Sequence, residues 1–261
     1  MEEARGESAI PAFGEGWRRD LPGMHFAEFY ERYGASCRTK FMFRIPSTVL
    51  GRLRLAAHLL LGRVETTNRR IWSPPARSEL PLEFIRLDPW EAGYLYAMAQ
   101  TADRGIVEIG RFRGGSTFLL ACANRSVPIW SIDRSPADDT RLRWLLTQNH
   151  VGENAELLVG NSQRDAFAEI GAFDVLFVDG DHTREGCLAD LGRFFPRLSP
   201  GGHVLVHDSY AELQVQQAVL DFVAGHDVTV VRWPYIPHAH WHTSAGSIAH
   251  IVKPLEQAAP D

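Results

Sequence analysis

The chain has 261 residues, with 27 Lys+Arg, 32 Asp+Glu and a formal charge of -5. Apolar residues make up 45% and charged residues 23%, which excludes wholesale disorder. The acidic balance argues against a nucleic-acid partner, which ordinarily meets a basic face; three scattered cysteines (Cys37, Cys122, Cys187) exclude a disulfide framework and fit a reducing cytoplasm.

The start, Met1-Glu2-Glu3-Ala4, is acidic and no apolar h-region follows, so no secretory signal is expected. No apolar run approaches the roughly 20 residues that cross a bilayer, so no transmembrane segment is expected. Lys occurs only at Lys40 and Lys253, which we read as a GC-rich coding bias of bacterial origin. Residues 1–70 hold 12 basic and 8 acidic residues, a net of +4; residues 71–261 hold 15 and 24, a net of -9. Ser73-Pro74-Pro75 is a linker signal near the change. The expected division is an N-terminal extension over 1–75 and a main domain over 76–261.

The first forty-odd residues read as irregular, broken by Gly14, Gly16, Pro22 and Gly23. After Pro46-Ser47, Thr48 to Val64 reads as a helix studded with Arg52, Arg54 and Arg63. It is expected to pack on the main domain, on a partner copy in a homo-oligomer, or over an active site; a membrane-surface helix is the alternative. Asp88-Pro89-Trp90-Glu91 then opens a helix to about Ala102, with Asp as N-cap and Pro at N1.

Beyond it, five short apolar runs alternate with helical stretches: Gly105–Gly110, Pro128–Asp133, Ala155–Gly160, Phe173–Asp179 and His203–Asp208. None alternates cleanly, which fits strands buried on both faces of a parallel sheet. Val228–Trp233 and Ser247–Val252 follow without a helix between them and should pair antiparallel. The fold class is therefore α/β: a doubly wound, seven-stranded, mostly parallel sheet ending in an antiparallel hairpin, preceded by a helical extension.

Ligands bind outside the carboxyl ends of such strands. Those ends read Gly110, Asp133, Gly160-Asn161, Asp179-Gly180-Asp181-His182 and His207-Asp208. The first opens Gly110-Arg111-Phe112-Arg113-Gly114-Gly115-Ser116-Thr117, where glycines permit a tight turn and close approach to a ligand at a helix N-terminus. It is neither GxGxxG nor a phosphate-binding P-loop, which disfavours a dehydrogenase. Asp133 follows Gly110 by 23 residues, a spacing suited to a ribose diol; capping the next helix is its other use.

Together, Glu108-Ile109-Gly110 through Ser116-Thr117, Asp133, Gly160-Asn161-Ser162-Gln163, Asp179-Gly180-Asp181-His182 and Pro200-Gly201-Gly202 resemble a class I S-adenosylmethionine-dependent methyltransferase. The likeness is greatest to metal-dependent small-molecule O-methyltransferases of the catechol, macrocin and mycinamicin kind, over roughly residues 80–253 on a Rossmann-like sheet. The resemblance implies that Glu108, Gly110, Phe112, Gly114, Gly115 and Ser116 hold the methionine end of the cofactor. It places Asp133 on the ribose, Asn161, Ser162 and Gln163 along the adenine, and Asp179 beside the cofactor as the first metal carboxylate. The second ligand position falls 28 residues later, on His207 followed by Asp208, and the base falls on His182.

O-methylation needs a nucleophilic oxygen, and a divalent cation with a nearby base can provide it. Asp179 and Asp208 suit magnesium; His207 suits manganese, iron or another transition metal. Three readings stay open: His207 ligates, Asp179 and Asp208 ligate with water, or no metal binds. His182 reads either as the base or as a residue capping the next helix or orienting Asp179. The loop Pro237-His238-Ala239-His240-Trp241-His242 reads as pocket lining with Trp233 and Tyr235, as a metal site, or as polar surface. Cys187, Tyr94 and Tyr96 read as packing. The cysteines and the scarcity of Lys point to a cytoplasmic bacterial protein, and the resemblance implies action on a small-molecule hydroxyl, as in antibiotic biosynthesis. The rivals are an N-methyltransferase, a mononuclear-iron hydroxylase on the same fold, and a non-catalytic binder of the cofactor.

Overall fold

The computed structural model describes residues 26–33, 80–81, 84–87, 89–232 and 248–255. Seven strands form one sheet: β1 (Ile106–Ile109), β2 (Ile129–Asp133), β3 (Ala155–Val159), β4 (Phe173–Val178), β5 (Leu198–Val206), β6 (Thr229–Arg232) and β7 (Ala249–Val252). Their order is β3-β2-β1-β4-β5-β7-β6. The first five pair in parallel, and β7 runs antiparallel to both β5 and β6. The expected parallel sheet with an antiparallel end is what forms.

Alternate residues of the central strands feed two cores, as strand geometry requires. Ile106, Val175, Phe177 and Leu205 point to one face; Val107, Leu176, Val204 and Val206 point to the other. The first face is covered by α2 (Pro89–Gln100), α3 (Gly115–Ala123) and α4 (Asp139–Gln148). All nine residues of α3 are buried, so this helix lies sealed against the sheet. The second face is covered by α5 (Arg184–Phe194) and α6 (Leu213–Gly225). On α6, Val215, Ala218, Val219 and Phe222 form the buried stripe that a helical period creates.

One element departs from the expectation. The supposedly irregular N-terminal stretch contains a helix, α1 (Phe26–Tyr33). Phe29 and Tyr33, one turn apart, are fully buried in the first core. Phe29 meets the ring of Tyr96, and Tyr33 meets Phe118 edge-on. The Tyr33 hydroxyl also donates to Asn149 Oδ1 at 2.8 Å. The burial of two aromatic rings fixes this helix despite the glycines before it.

The helix expected over Thr48–Val64, the Asp88 cap, Cys37 and the loop from Trp233 to His242 lie outside the described residues. Cys187 and Tyr96 are buried, in keeping with packing roles.

Candidate functional site

β1 lies between β2 and β4, where the chain's winding reverses and a crevice opens at the carboxyl ends. Gly110 leaves β1 with φ 89. A Cβ there would lie 2.0 Å from the Asp179 carbonyl oxygen. Gly114 has φ 85 and caps α3 without a side-chain bond; a Cβ on Gly115 would lie 2.2 Å from the Phe84 carbonyl oxygen. So at Gly110 and Gly115 the bare face is filled by neighbouring backbone. The sequence reading gave that space to a ligand; in the folded chain it lets β1, β4 and the 84–85 segment close on one another.

Two side chains hold the turn. Arg111 is buried and clamps Asp139 through Nε at 2.8 Å and Nη2 at 2.6 Å, while Nη1 donates to the carbonyls of Ser131 and Leu158 at 2.7 Å each. A paired, fully bonded guanidinium is the form in which a buried charge is tolerated. Asp133 accepts from the backbone N–H of Phe112 at 2.8 Å and of Ser135 at 2.7 Å. It does not cap α4; Asp138 does, accepting from Arg141 N.

Two adjoining clefts result. One, of about 330 Å³, is lined by the Gly110–Arg113 turn, Gly115 and Ser116 together with Asp179, His182, His207 and Asp208. The other, of about 280 Å³, is lined by Asp133, Asn161, Ser162, Gln163 and Asp181. Gly110, Phe112, Asp179 and Gly180 border both, so one groove runs along the strand ends. Glu108 lines neither cleft. It lies buried within β1, its Oε2 accepting the hydroxyls of Thr117 and Ser131 at 2.5 Å, and burial pushes its carboxyl up.

Asp179, His182 and Asp208 are the described residues whose ligand atoms gather, all within 4.8 Å of one another. His182 Nε2 stands 3.6 Å from Asp179 Oδ1 and 3.6 Å from Asp208 Oδ2. Thr183, not His182, caps α5. Asp208 adopts φ 53, a left-handed conformation that non-glycine residues rarely hold.

His207, a ligand in one of the three open readings, stands outside this cluster. Its ring is buried, with Nε2 3.2 Å from Glu91 Oε2 and Nδ1 3.1 Å from Asp179 Oδ1. Burial opposes its charge, but Asp179 and Glu91 override this and hold its pKa well above 6.5. The ring thus has a carboxylate on each side. It does serve Asp179: burial would raise that carboxyl, but His207 and His182 draw it below the usual range. Asp179 beside it in turn raises His182, against partial burial.

Beneath the second cleft, the Ser162 hydroxyl donates to Asp190 Oδ1 at 2.6 Å. Asp190 is buried, its Oδ2 has no partner among the described residues, and desolvation pushes it up to about 6. Its folded pKa exceeds its unfolded one, so the fold loses stability as pH rises from about 4 through about 6. Asp190→Asn keeps an acceptor for Ser162 and removes the ionisation penalty. It should stabilise the protein by on the order of 2 kcal/mol at pH 8 and by little near pH 4. Thermal melts at the two pH values check this; an equal shift at both would rule out ionisation as the cause.

With this geometry in place, residues 107–209 match the family model described as a methyltransferase domain. Over that stretch the chain resembles a methyltransferase domain. Among solved structures, the O-methyltransferase NovP aligns over 78% of this chain and 98% of its own, at TM-score 0.52 and 18% identity. The SAH-bound methyltransferase PaMTH1 of Podospora anserina aligns over 81% and 98%, at 0.52 and 18%. A putative rRNA-methylase from Clostridium thermocellum aligns over 64% and 94%, at 0.51 and 15%. At these identities the likeness shows the fold alone. An uncharacterized protein of Acanthamoeba polyphaga mimivirus is 28% identical over 134 residues, 47% of this chain; the chain spans 60% of that relative's length. Among the described residues, no helix is long and apolar enough to cross a membrane.

Proposed function

We propose that the protein transfers a methyl group from S-adenosylmethionine to a hydroxyl of a small molecule, with Asp179 and Asp208 holding a divalent cation and His182 as the base. The observation that carries this reading is the convergence of Asp179, His182 and Asp208 in a cleft that adjoins the Gly110–Ser116 turn. In this reading the cofactor lies along the groove. Gly110, Phe112, Gly114, Gly115 and Ser116 border its methionine end, Asp133 takes the ribose hydroxyls, and Asn161, Ser162 and Gln163 flank the adenine. Glu108 acts from below, supporting Thr117 and Ser131 around the turn. The uncapped N-terminus of α3 favours the methionine carboxylate.

The donor set fits a cation such as magnesium, manganese or iron(II): two carboxylates, one of them held ionised by His207, stand beside an imidazole. When bound, it supplies Lewis-acid stabilisation to an acceptor oxygen. The protein's own groups do the rest. His182, half exposed and within reach of both carboxylates, takes the acceptor's proton at Nε2. His207 donates to Asp179 and keeps that carboxylate aimed into the cleft. The net charge of -5 and the carboxylates at the site support a small acceptor in place of a nucleic acid. A bacterial biosynthetic enzyme of the cytoplasm, with residues 1–75 over the pocket or at a dimer contact and residues 76–261 as the catalytic domain, completes the proposal.

Calorimetry with S-adenosylhomocysteine tests the cofactor assignment. Wild type should bind it, and Asp133→Asn should bind about tenfold or more weakly, since a charged acceptor is lost from the ribose. Failure of the wild type to bind would sink the proposed activity. Unaltered affinity in the variant would sink the ribose assignment alone.

A further inference from the structure

The rim of the cleft carries charge that the proposed chemistry leaves unused. Phe112 is 45% exposed at the border of both clefts. Its backbone is fixed with φ 51, its N–H held by Asp133 and its carbonyl by Ala137 N. Against its ring rest two guanidiniums, Arg86 at 5.4 Å and Arg113 at 5.2 Å from the centroid. Both arginines are exposed and both line the first cleft.

Neither has an acidic partner among the described residues. Among the described residues Arg111 pairs with Asp139 and Arg184 with Asp221 and Glu185, while Arg193 and Arg197 donate to backbone carbonyls; what sets Arg86 and Arg113 apart is that both lie on one ring at the cleft. Two like charges left unneutralised on one aromatic ring, in a chain of net charge -5, form a local positive field facing the cleft. The same cleft holds the opposite pattern around Asp179 and Asp208. A neutral acceptor would have no use for that division. An acceptor with an anionic group would be turned by it, anion toward the arginines and hydroxyl toward His182.

We propose, resting on the methyltransferase reading above, that the acceptor is a hydroxylated small molecule bearing a carboxylate or phosphate, and that Arg86 and Arg113 hold that anionic group at the cleft mouth. The first cleft, of about 330 Å³, also takes the cofactor's methionine end, which leaves room for a compact acceptor. A polymer such as RNA would need a wider basic track, and the neighbouring cleft sets one basic side chain, Arg134, beside Asp133, Asp179 and Asp181.

The test uses full-length protein saturated with S-adenosylhomocysteine in the presence of magnesium. The probes are 4-hydroxybenzoate, 4-hydroxyphenyl phosphate and the neutral 4-hydroxybenzamide, each titrated calorimetrically. At least one anionic probe should bind about tenfold tighter than the amide, and which one does so separates carboxylate from phosphate. The double variant Arg86→Gln/Arg113→Gln should erase that preference, as should high salt, while S-adenosylhomocysteine affinity stays unchanged. Equal binding of all three probes, or binding of none, overturns the proposal. So does a loss of S-adenosylhomocysteine affinity in the variant, because the arginines would then serve the cofactor's own carboxylate. Tighter binding of a short oligoribonucleotide than of any small probe, with a steep salt dependence, overturns it in favour of RNA. If the wild type fails to bind S-adenosylhomocysteine, the methyltransferase reading falls first and separately.

Discussion

His182→Gln should lower methyl transfer by about 10²–10⁴-fold, the range set by loss of a positioned base. Cofactor affinity should change little, because His182 is not among the residues proposed to hold the cofactor. Glutamine retains a polar group of similar reach but cannot take a proton near neutral pH. The acidic limb of the pH–rate profile should vanish in the variant. In the metal-free protein Asp179 beside the ring raises His182 above the ordinary imidazole value, and a cation held by Asp179 and Asp208 opposes that shift, so the limb should move to lower pH as the metal saturates. A base must be deprotonated, so activity rises as pH passes through the pKa of His182. The readout is conversion of labelled S-adenosylmethionine with a hydroxybenzoate acceptor, beside calorimetric binding of manganese. Lost manganese binding would make His182 a metal ligand; full turnover would remove it from the mechanism altogether.

The sheet was legible because its strands are apolar runs bounded by turn residues, and because a parallel strand buried on both faces needs no alternation. The site was legible for a related reason: Asp133, Asp179, His182 and Asp208 all stand where strands end. What stayed hidden depends on direction in space. Counting 28 residues from Asp179 lands on His207, yet it is Asp208, with its left-handed backbone, that turns into the cluster. Nothing in the residue type announces that conformation. Glu91 read as a first-turn carboxylate at a helix start, and it is that, but it is also buried against His207. Arg111 gave no signal either. Its partner Asp139 lies 28 residues away, and a lone arginine in a turn looks solvated. Helix α1 did leave a trace: Phe26, Phe29, Tyr30 and Tyr33 keep a helical period that the preceding glycines and proline obscured.

Gly110→Ala should unfold the turn that all of these residues share. At φ 89 an L-residue is strained whatever space surrounds it. Here there is none, since the new Cβ would stand 2.0 Å from Asp179 O, 2.5 Å from Asp179 C and 2.7 Å from Gly180 Cα. Those atoms are all backbone, so no side chain can swing aside. Relief requires β1 and β4 to part where Asp179 N donates to Ile109 O. That movement carries Asp179 away from His182 and disturbs both clefts together. The expected cost exceeds about 4 kcal/mol, in the range reserved for special backbone positions and overpacked cores. Gly192→Ala is the matched control: it lies in helix α5 with nothing within 4 Å of its added Cβ, and should stabilise by about 0.5–1 kcal/mol. Urea unfolding of both variants, with S-adenosylhomocysteine binding measured on whatever Gly110→Ala protein remains folded, separates the outcomes. A Gly110→Ala protein of wild-type stability and affinity would mean that the β1–β4 crossing is looser than its contacts require. The cleft's geometry would then have to be held elsewhere, with the buried Arg111–Asp139 clamp as the next place to look.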